Sequence, residues 1–300
     1  MASLMRIKNL VSSPEYTRRH LISVASPKLY YNKHSRRSKI AGISQPSFVL
    51  SFDCDTVDDI AVVESVHSRI REMGIQPVYA VPGELLREGS AVYKEIMRDG
   101  SEFINHGGRR HTFFNTAAQR EESCFFYDQQ TSADCEEDVR LGHKLVLEVL
   151  GVEPTGFRTP HFGTFSKDKD LKWLHELLVQ MGYRYSSSAT PFWGDKCGPK
   201  YLSSAGQLIE FPISGGFGRP LTILDSWRAF GAPNRSMTPS GYFDEVKLLA
   251  SHVSQLESGL INIYADPLHI AKEPLFFEAM SELAKVVKPT TFSRLLERQK

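Results

Sequence analysis

Six polar residues of this 300-residue chain stand where a parallel β/α fold gathers its chemistry. Asp53 and Asp55 end the apolar run in SFDCDT, His106 and His111 bracket HGGRRH, Arg158 lies in FRTPHFG, and His269 closes IYADPLH. Each pair or single residue follows an apolar run that reads as a strand, and strand C-terminal ends share one rim in such folds. Asp and His together offer carboxylate oxygen and imidazole nitrogen, the donors of a divalent metal, and three protein ligands leave a position for water. Such an ion polarises a carbonyl and brings the pKa of water from 15.7 to about 7. Hydrolysis then needs a base for the water, an acid for the leaving group and positive charge near the oxyanion. Asp53, His269 and the ion suit those three needs.

The elements that must position these residues are legible as alternating apolar runs and helical stripes, the pattern of β/α units on a largely parallel sheet. Strands are predicted at 47–52, 77–81, 102–105, 155–158, 207–213 and 260–264, and helices at 57–73, 90–98, 132–150, 168–181, 243–257 and 273–287. In the first strand the period of two sends Asp53 and Asp55 to one side and Cys54 to the other. Asp58 and Asp59 read as first-turn helix residues, and Asp134, Glu136, Glu137 and Asp138 crowd the start of the 132–150 helix, where its dipole favours anions. His67, His143, His175 and His252 fall within helices and read as packing or surface residues. The stretch 186–241, rich in Gly, Pro and Ser, gives no regular pattern.

An apolar content of 41% over 300 residues supports one large core. The formal net charge of +1 argues against general nucleic-acid binding, yet nine Lys or Arg and only Glu15 as an acid lie before Ser47. Residues 1–46 therefore form a basic extension, a solvated tail or a packed arm, and 47–300 the β/α domain that carries the candidate site. Interleaved basic and apolar residues in the extension suit peripheral contact with an anionic membrane face or an acidic glycan. No apolar run is long enough for a transmembrane helix, so a cytoplasmic protein is expected. Cys54, Cys124, Cys135 and Cys197 form no C-x-x-C pair, which speaks against a disulfide framework and a Cys-type zinc site.

The motifs in this order resemble those of the polysaccharide deacetylase superfamily, also called the NodB-homology or carbohydrate esterase family 4 group, over roughly Ser47 to Ile270. The D-x-D form of SFDCDT is similar to an intracellular branch with peptidoglycan deacetylase-like and allantoinase-like members. The resemblance implies an α/β fold, a distorted (β/α) barrel, with Asp53 as base and Asp55, His106 and His111 as metal ligands. His106 and His111 are separated by four residues where the family usually has three; Gly107 and Gly108 make a loop that lets both converge. Arg158 would orient the base, His269 would be the acid, and LTILDSW would give Asp225 and Trp227 to the pocket. His161 and Trp193 are further candidate substrate contacts. The implied activity is metal-dependent removal of acetyl from an N-acetylated amino sugar, in surface-polysaccharide biosynthesis such as that of a lipopolysaccharide O-antigen. Zinc is the expected metal, with cobalt, nickel or manganese as alternatives. An allantoinase-like amidohydrolase and a non-catalytic glycan-binding protein are the competing readings.

Overall fold

The computed structural model describes residues 13–231 and 236–297. Arg6 and Lys8 of the basic extension lie outside the described residues. The described part of that extension holds two helices, α1 (Pro14–Ala25) and α2 (Pro27–Ile40), each started by a proline in its first turn. They pack on the barrel. Arg19 and Lys33 reach Asp195 at 2.6 and 2.8 Å, Tyr31 stacks on Phe217, and His34 Nε2 meets the Leu260 carbonyl at 2.8 Å.

The β/α core begins with β1 (Pro46–Asp53), α3 (Val57–Glu72), β2 (Val78–Val81), α4 (Gly83–Glu88), α5 (Ser90–Arg98) and β3 (Glu102–Asn105). A two-stranded ribbon of β4 (Thr112–Asn115) and β5 (Arg120–Ser123) interrupts the alternation. Then come α6 (Ser132–Leu150), β6 (Gly156–Phe157), α7 (Asp168–Gln180), β7 (Tyr185–Ser186), α8 (Pro191–Cys197), β8 (Tyr201–Leu202) and β9 (Ile209–Glu210). The chain ends with α9 (Ser226–Ala229), α10 (Pro239–Val253), β10 (Gly259–Ala265), α11 (Pro267–Ile270), α12 (Pro274–Val286), β11 (Lys288–Pro289) and α13 (Phe292–Glu297).

The main sheet runs β10-β1-β2-β3-β6-β7-β9-β8, with β11 also beside β1; all its pairings are parallel except β8 with β9. This is the expected distorted (β/α) barrel. Its closure is not a strand pairing. Residues 211–214 run beside β10, where the Ser214 amide donates to the Asn262 carbonyl at 2.8 Å. The Asn262 amide group in turn donates to the Phe211 carbonyl at 2.9 Å.

Alternation along β1 decides where the chemistry faces. Phe48, Leu50, Phe52 and Cys54 belong to the large cluster that includes Val63, Val66 and Ile70 of α3. Val49 belongs to a second cluster with Val78, Ala80, Ile104 and Tyr185 from the other strands and Phe211 just after β9. Asp53 shares the parity of Val49, so the burial of Leu50 and Phe52 against helices, worth about 1.5–3 kcal/mol each, also aims Asp53 at the strand-side interior.

Candidate metal centre and catalytic site

Asp55 lies two residues beyond β1, and its carbonyl accepts from Thr112 Oγ1 at 2.7 Å, which ties this loop to the ribbon. His106 follows β3 directly and is fully buried. Its Nδ1 is 2.9 Å from the Arg158 carbonyl, so Nδ1–H donates there and the Nε2 lone pair is left facing Asp55 Oδ1 at 3.2 Å. His111 is also fully buried, its ring centroid 5.6 Å from that of His106.

The structure therefore brings the three expected ligands together: one donor atom from each of Asp55, His106 and His111 lies within 4.8 Å of the others. Asp55 Oδ1, His106 Nε2 and both His111 nitrogens are buried without a hydrogen-bond partner. Unpaired buried polar atoms are costly, and three residues that bring such atoms together are the pattern of a site built for an ion. A carboxylate and two imidazoles, one oriented through its second ring nitrogen, fit a divalent metal. The charges support the same set: burial would raise the Asp55 carboxyl, but His106 holds it well below the usual carboxylate range. Burial likewise opposes the charged form of His106, and Asp55 overrides it upward.

The extra residue between the histidines is absorbed by the two glycines. Gly107 has φ +81°, in the left-handed region, and a Cβ there would collide with Asp138 Oδ2 and come within 2.9 Å of His111 Nε2. Asp138 braces the loop, accepting the Gly108 and Arg109 amides at 3.1 and 2.8 Å and the Tyr127 hydroxyl at 2.6 Å, with Oδ2 3.5 Å from His111 Nε2. The sequence reading, which counts Asp138 among the acids favoured by the dipole at the start of α6, is thereby corrected. It lies on the buried stripe of α6 with Cys135, Val139 and Gly142, and an acid on an apolar stripe was the signal available.

Asp53 is 3% exposed, and its Oδ1 accepts from Arg158 Nη1 at 2.6 Å. The guanidinium is fully buried and also donates to Ser51 Oγ at 2.7 Å and Ser187 Oγ at 3.0 Å. Burial pushes the Asp53 carboxyl upward in spite of Arg158, which favours its acceptance of a proton. His161 adopts φ +56°, its Nε2 meets the Cys124 carbonyl at 2.8 Å, and its ring is 5.9 Å from that of His111. It borders the centre but is not part of the ligand set.

His269 sits on α11, just past β10. Its Nδ1 is 3.1 Å from Asp266 Oδ2, which also accepts from Ser226 Oγ at 2.6 Å. Burial opposes the imidazolium, and Asp266 raises it above its ordinary value. The Asp59 carboxylate, besides forming the capping box of α3, accepts the Leu268 amide at 2.8 Å and so fixes the same turn. Trp227 is half exposed with its ring 5.0 Å from His269. Asp225 caps α9 through the Arg228 amide at 2.7 Å, and burial pushes its carboxyl up to about 6.

Trp193 is not brought to the rim. It is 7% exposed, packs with Leu171 and Ala189, and donates Nε1–H to the Ser166 carbonyl at 2.9 Å. The start of α8 at Pro191 turns it into that cluster, so it is a packing residue where a sugar contact was expected. Asp266, adjacent to the motif His269, was missed, as was Ser187.

No family model and no curated protein matches the chain. Solved structures do. A protein from Mycobacterium smegmatis assigned as a polysaccharide deacetylase is 16% identical with a TM-score of 0.62, covering 85% of this chain and 90% of its own. One from Pseudomonas aeruginosa PAO1, with the same assignment, is 12% identical at a TM-score of 0.61, covering 84% and 89%. Puue allantoinase is 12% identical at 0.60, covering 84% and 88%. The chain thus has the polysaccharide deacetylase fold, of the NodB-homology type.

Proposed function

We propose that this protein is a metal-dependent N-deacetylase acting on an N-acetylated amino sugar of a surface-polysaccharide intermediate. The observation that carries the reading is the convergence of unpaired Asp55, His106 and His111 atoms on the rim that also holds Asp53 and Arg158. A bound divalent ion, zinc by expectation, supplies Lewis acidity toward the acetyl carbonyl and makes water acidic enough to react near neutral pH. Asp53 takes the proton of the attacking water as the new C–O bond forms. Arg158 holds the Asp53 carboxylate in one orientation through the 2.6 Å contact. His269 gives the Nε2 proton to the nitrogen as the C–N bond breaks, while Asp266 fixes its ring through Nδ1. Trp227 and Asp225 border the acid, and the products are acetate and a free amine.

The test is metal analysis of protein purified without chelator, with an acetate-release screen across N-acetylated nucleotide sugars, lipid-linked sugars and polymers. Bound zinc and release of acetate support the reading; neither metal nor release after zinc, cobalt, nickel or manganese is added refutes it. Ring opening of allantoin without acetate release would favour the ureide alternative, which the fold shared with Puue allantoinase keeps in view.

The exposed Leu21, Ile22, Val24 and Leu29 at the α1–α2 turn, beside exposed Arg18 and Lys28, suit peripheral attachment to an anionic membrane face. Among the described residues no helix is long and apolar enough to cross a membrane. Co-sedimentation with vesicles containing phosphatidylserine, lost with Leu21→Glu/Ile22→Glu, is expected; equal recovery with neutral vesicles would refute an electrostatic attachment.

A further inference from the structure

The α1–α2 arm reaches, through one side chain, a loop that ends beside the acid. Tyr31 of α2 is 3% exposed, and its hydroxyl lies 3.3 and 3.2 Å from the Gly215 and Gly216 carbonyls that accept from it. Its ring stacks on Phe217, with centroids 5.6 Å apart and an interplanar angle of 8°. Tyr31 thus grips three consecutive residues of the irregular stretch between β9 and α9. Arg19 and Lys33 keep the arm seated through a different contact, their ion pairs with Asp195.

What Tyr31 grips is closed on itself. Gly215 pairs with Ile223 as an antiparallel bridge, and the Leu224 amide donates to the Ser214 carbonyl at 3.3 Å. A Cβ on Gly215 would collide with the Pro220 carbonyl, so the two legs of the loop touch backbone to backbone. The Gly218 amide is also tied to Glu245 of α10 at 2.8 Å. A loop packed this tightly shifts as a body, because close-packed atoms transmit a displacement instead of absorbing it. Its second leg runs directly into Asp225, Ser226 and Trp227. The Trp227 ring is 5.0 Å from that of His269, and Ser226 Oγ donates to Asp266 Oδ2 at 2.6 Å while accepting the Asp266 amide at 2.8 Å.

We infer that Tyr31 is a positioning residue: acting through the 215–223 loop, the docked arm sets where Trp227 and Ser226 stand against His269 and Asp266. Loosening the arm therefore loosens the acid's side of the pocket and spares the metal's side. The inference rests on the deacetylase reading for the role of His269, whereas the mechanical link is a property of the fold. Packed rings and hydrogen bonds in unbroken sequence are what carry such coupling. The asymmetry follows from the contacts. Asp53 and His106 are held by Arg158, which is itself fixed by Ser51 on β1 and Ser187 after β7.

The experiment uses the full-length protein in the presence of zinc. Tyr31→Phe keeps the stack on Phe217 and deletes the two carbonyl bonds; Tyr31→Ala deletes both. Hydrogen exchange of the 214–228 backbone is expected to quicken about tenfold in Tyr31→Phe and further in Tyr31→Ala, with 102–108 unchanged. In carbon–proton spectra of the histidine rings, the His269 signal, displaced by the Trp227 ring current, moves toward its position in Trp227→Leu. Zinc affinity is unchanged, and kcat/KM for acetate release from tri-N-acetylchitotriose by the unsubstituted protein falls about tenfold in Tyr31→Ala. Val149→Ala on α6, a loss of packing at a 7% exposed position, lowers Tm without moving the exchange of 214–228 or the His269 signal. Unchanged exchange and an unmoved His269 signal in Tyr31→Phe overturn the inference. So does an equal change in Val149→Ala, the result that general destabilisation would give. Tyr31→Phe decides by itself if Tyr31→Ala does not fold. The deacetylase reading fails separately, through absence of bound metal and of acetate release from the unsubstituted protein, and the exchange and ring-shift measurements decide the link in either case.

Discussion

Asp195 and Asp55 each stand in a cluster where one acid meets several nitrogen-bearing side chains, but the clusters are completed differently. Around Asp195, beneath α1 and α2, Arg19 and Lys33 each bond a carboxylate oxygen and Arg37 bonds the backbone carbonyl. Around Asp55, the facing atoms of His106 and His111 come close without bonding. The first network is satisfied by the chain alone and acts as a fastening. The second leaves several buried polar atoms without partners, each costing about 1–3 kcal/mol, a cost the fold recovers when an ion is bound. Polarity and burial are shared by both clusters; it is the unmet valence that separates a site from a clasp.

The largest effect that would break this comparison is loss of a ligand. Asp55→Ala or His106→Ala is expected to abolish both metal binding and acetate release, measured by elemental analysis and coupled assay; retained metal would show that the cluster is another clasp. Asp53→Asn should keep the metal and lose about 10²–10⁴-fold in kcat, and near-normal turnover would remove Asp53 as base. Asp138→Asn, which acts on His111 only through its brace, should weaken metal affinity about 10–100-fold in a competition titration.

A smaller effect concerns pH. His269 is raised above its ordinary value, with burial opposing and Asp266 overriding, so the protonated acid persists to higher pH and activity falls as pH rises through that raised value. Stability has the same sign, since this contribution is present at low pH and is lost as pH rises through the folded-state value. Asp266→Asn should move the falling limb of kcat to lower pH; an unmoved limb would show that another group titrates. The smallest effect is at the clasp. Asp195→Ala should cost about 1–2 kcal/mol, less than a fully buried pair because Lys33 is 45% exposed, and lower Tm by a few degrees with unchanged metal affinity.

Much of the framework was legible because it depends on local period. The helix over Ser132–Leu150 and the helix over Ser90–Arg98 have the boundaries that their patterns predict, and alternation along β1 places Asp53 and Cys54 on opposite faces. What escaped depends on partners distant in sequence. Asp138 acts on a loop about thirty residues away, and Ser187 joins Arg158 across 29. The β4–β5 ribbon was hidden because Phe113 and Phe114 adjoin where a half-buried strand would alternate. Trp193 was misread because an aromatic residue near a Gly-rich stretch gives no indication of whether its ring turns inward.

The Arg158 guanidinium spans Ser51 and Asp53 from β1 and Ser187 after β7, while its own carbonyl positions His106. One residue thus holds the orientation of the base and of a ligand through bonds that do not involve an ion. Loading should consequently resemble insertion into a finished socket: a single bimolecular phase whose observed rate rises linearly with zinc concentration. A slow step independent of concentration, the mark of an ion that must wait for its site to assemble, is not expected.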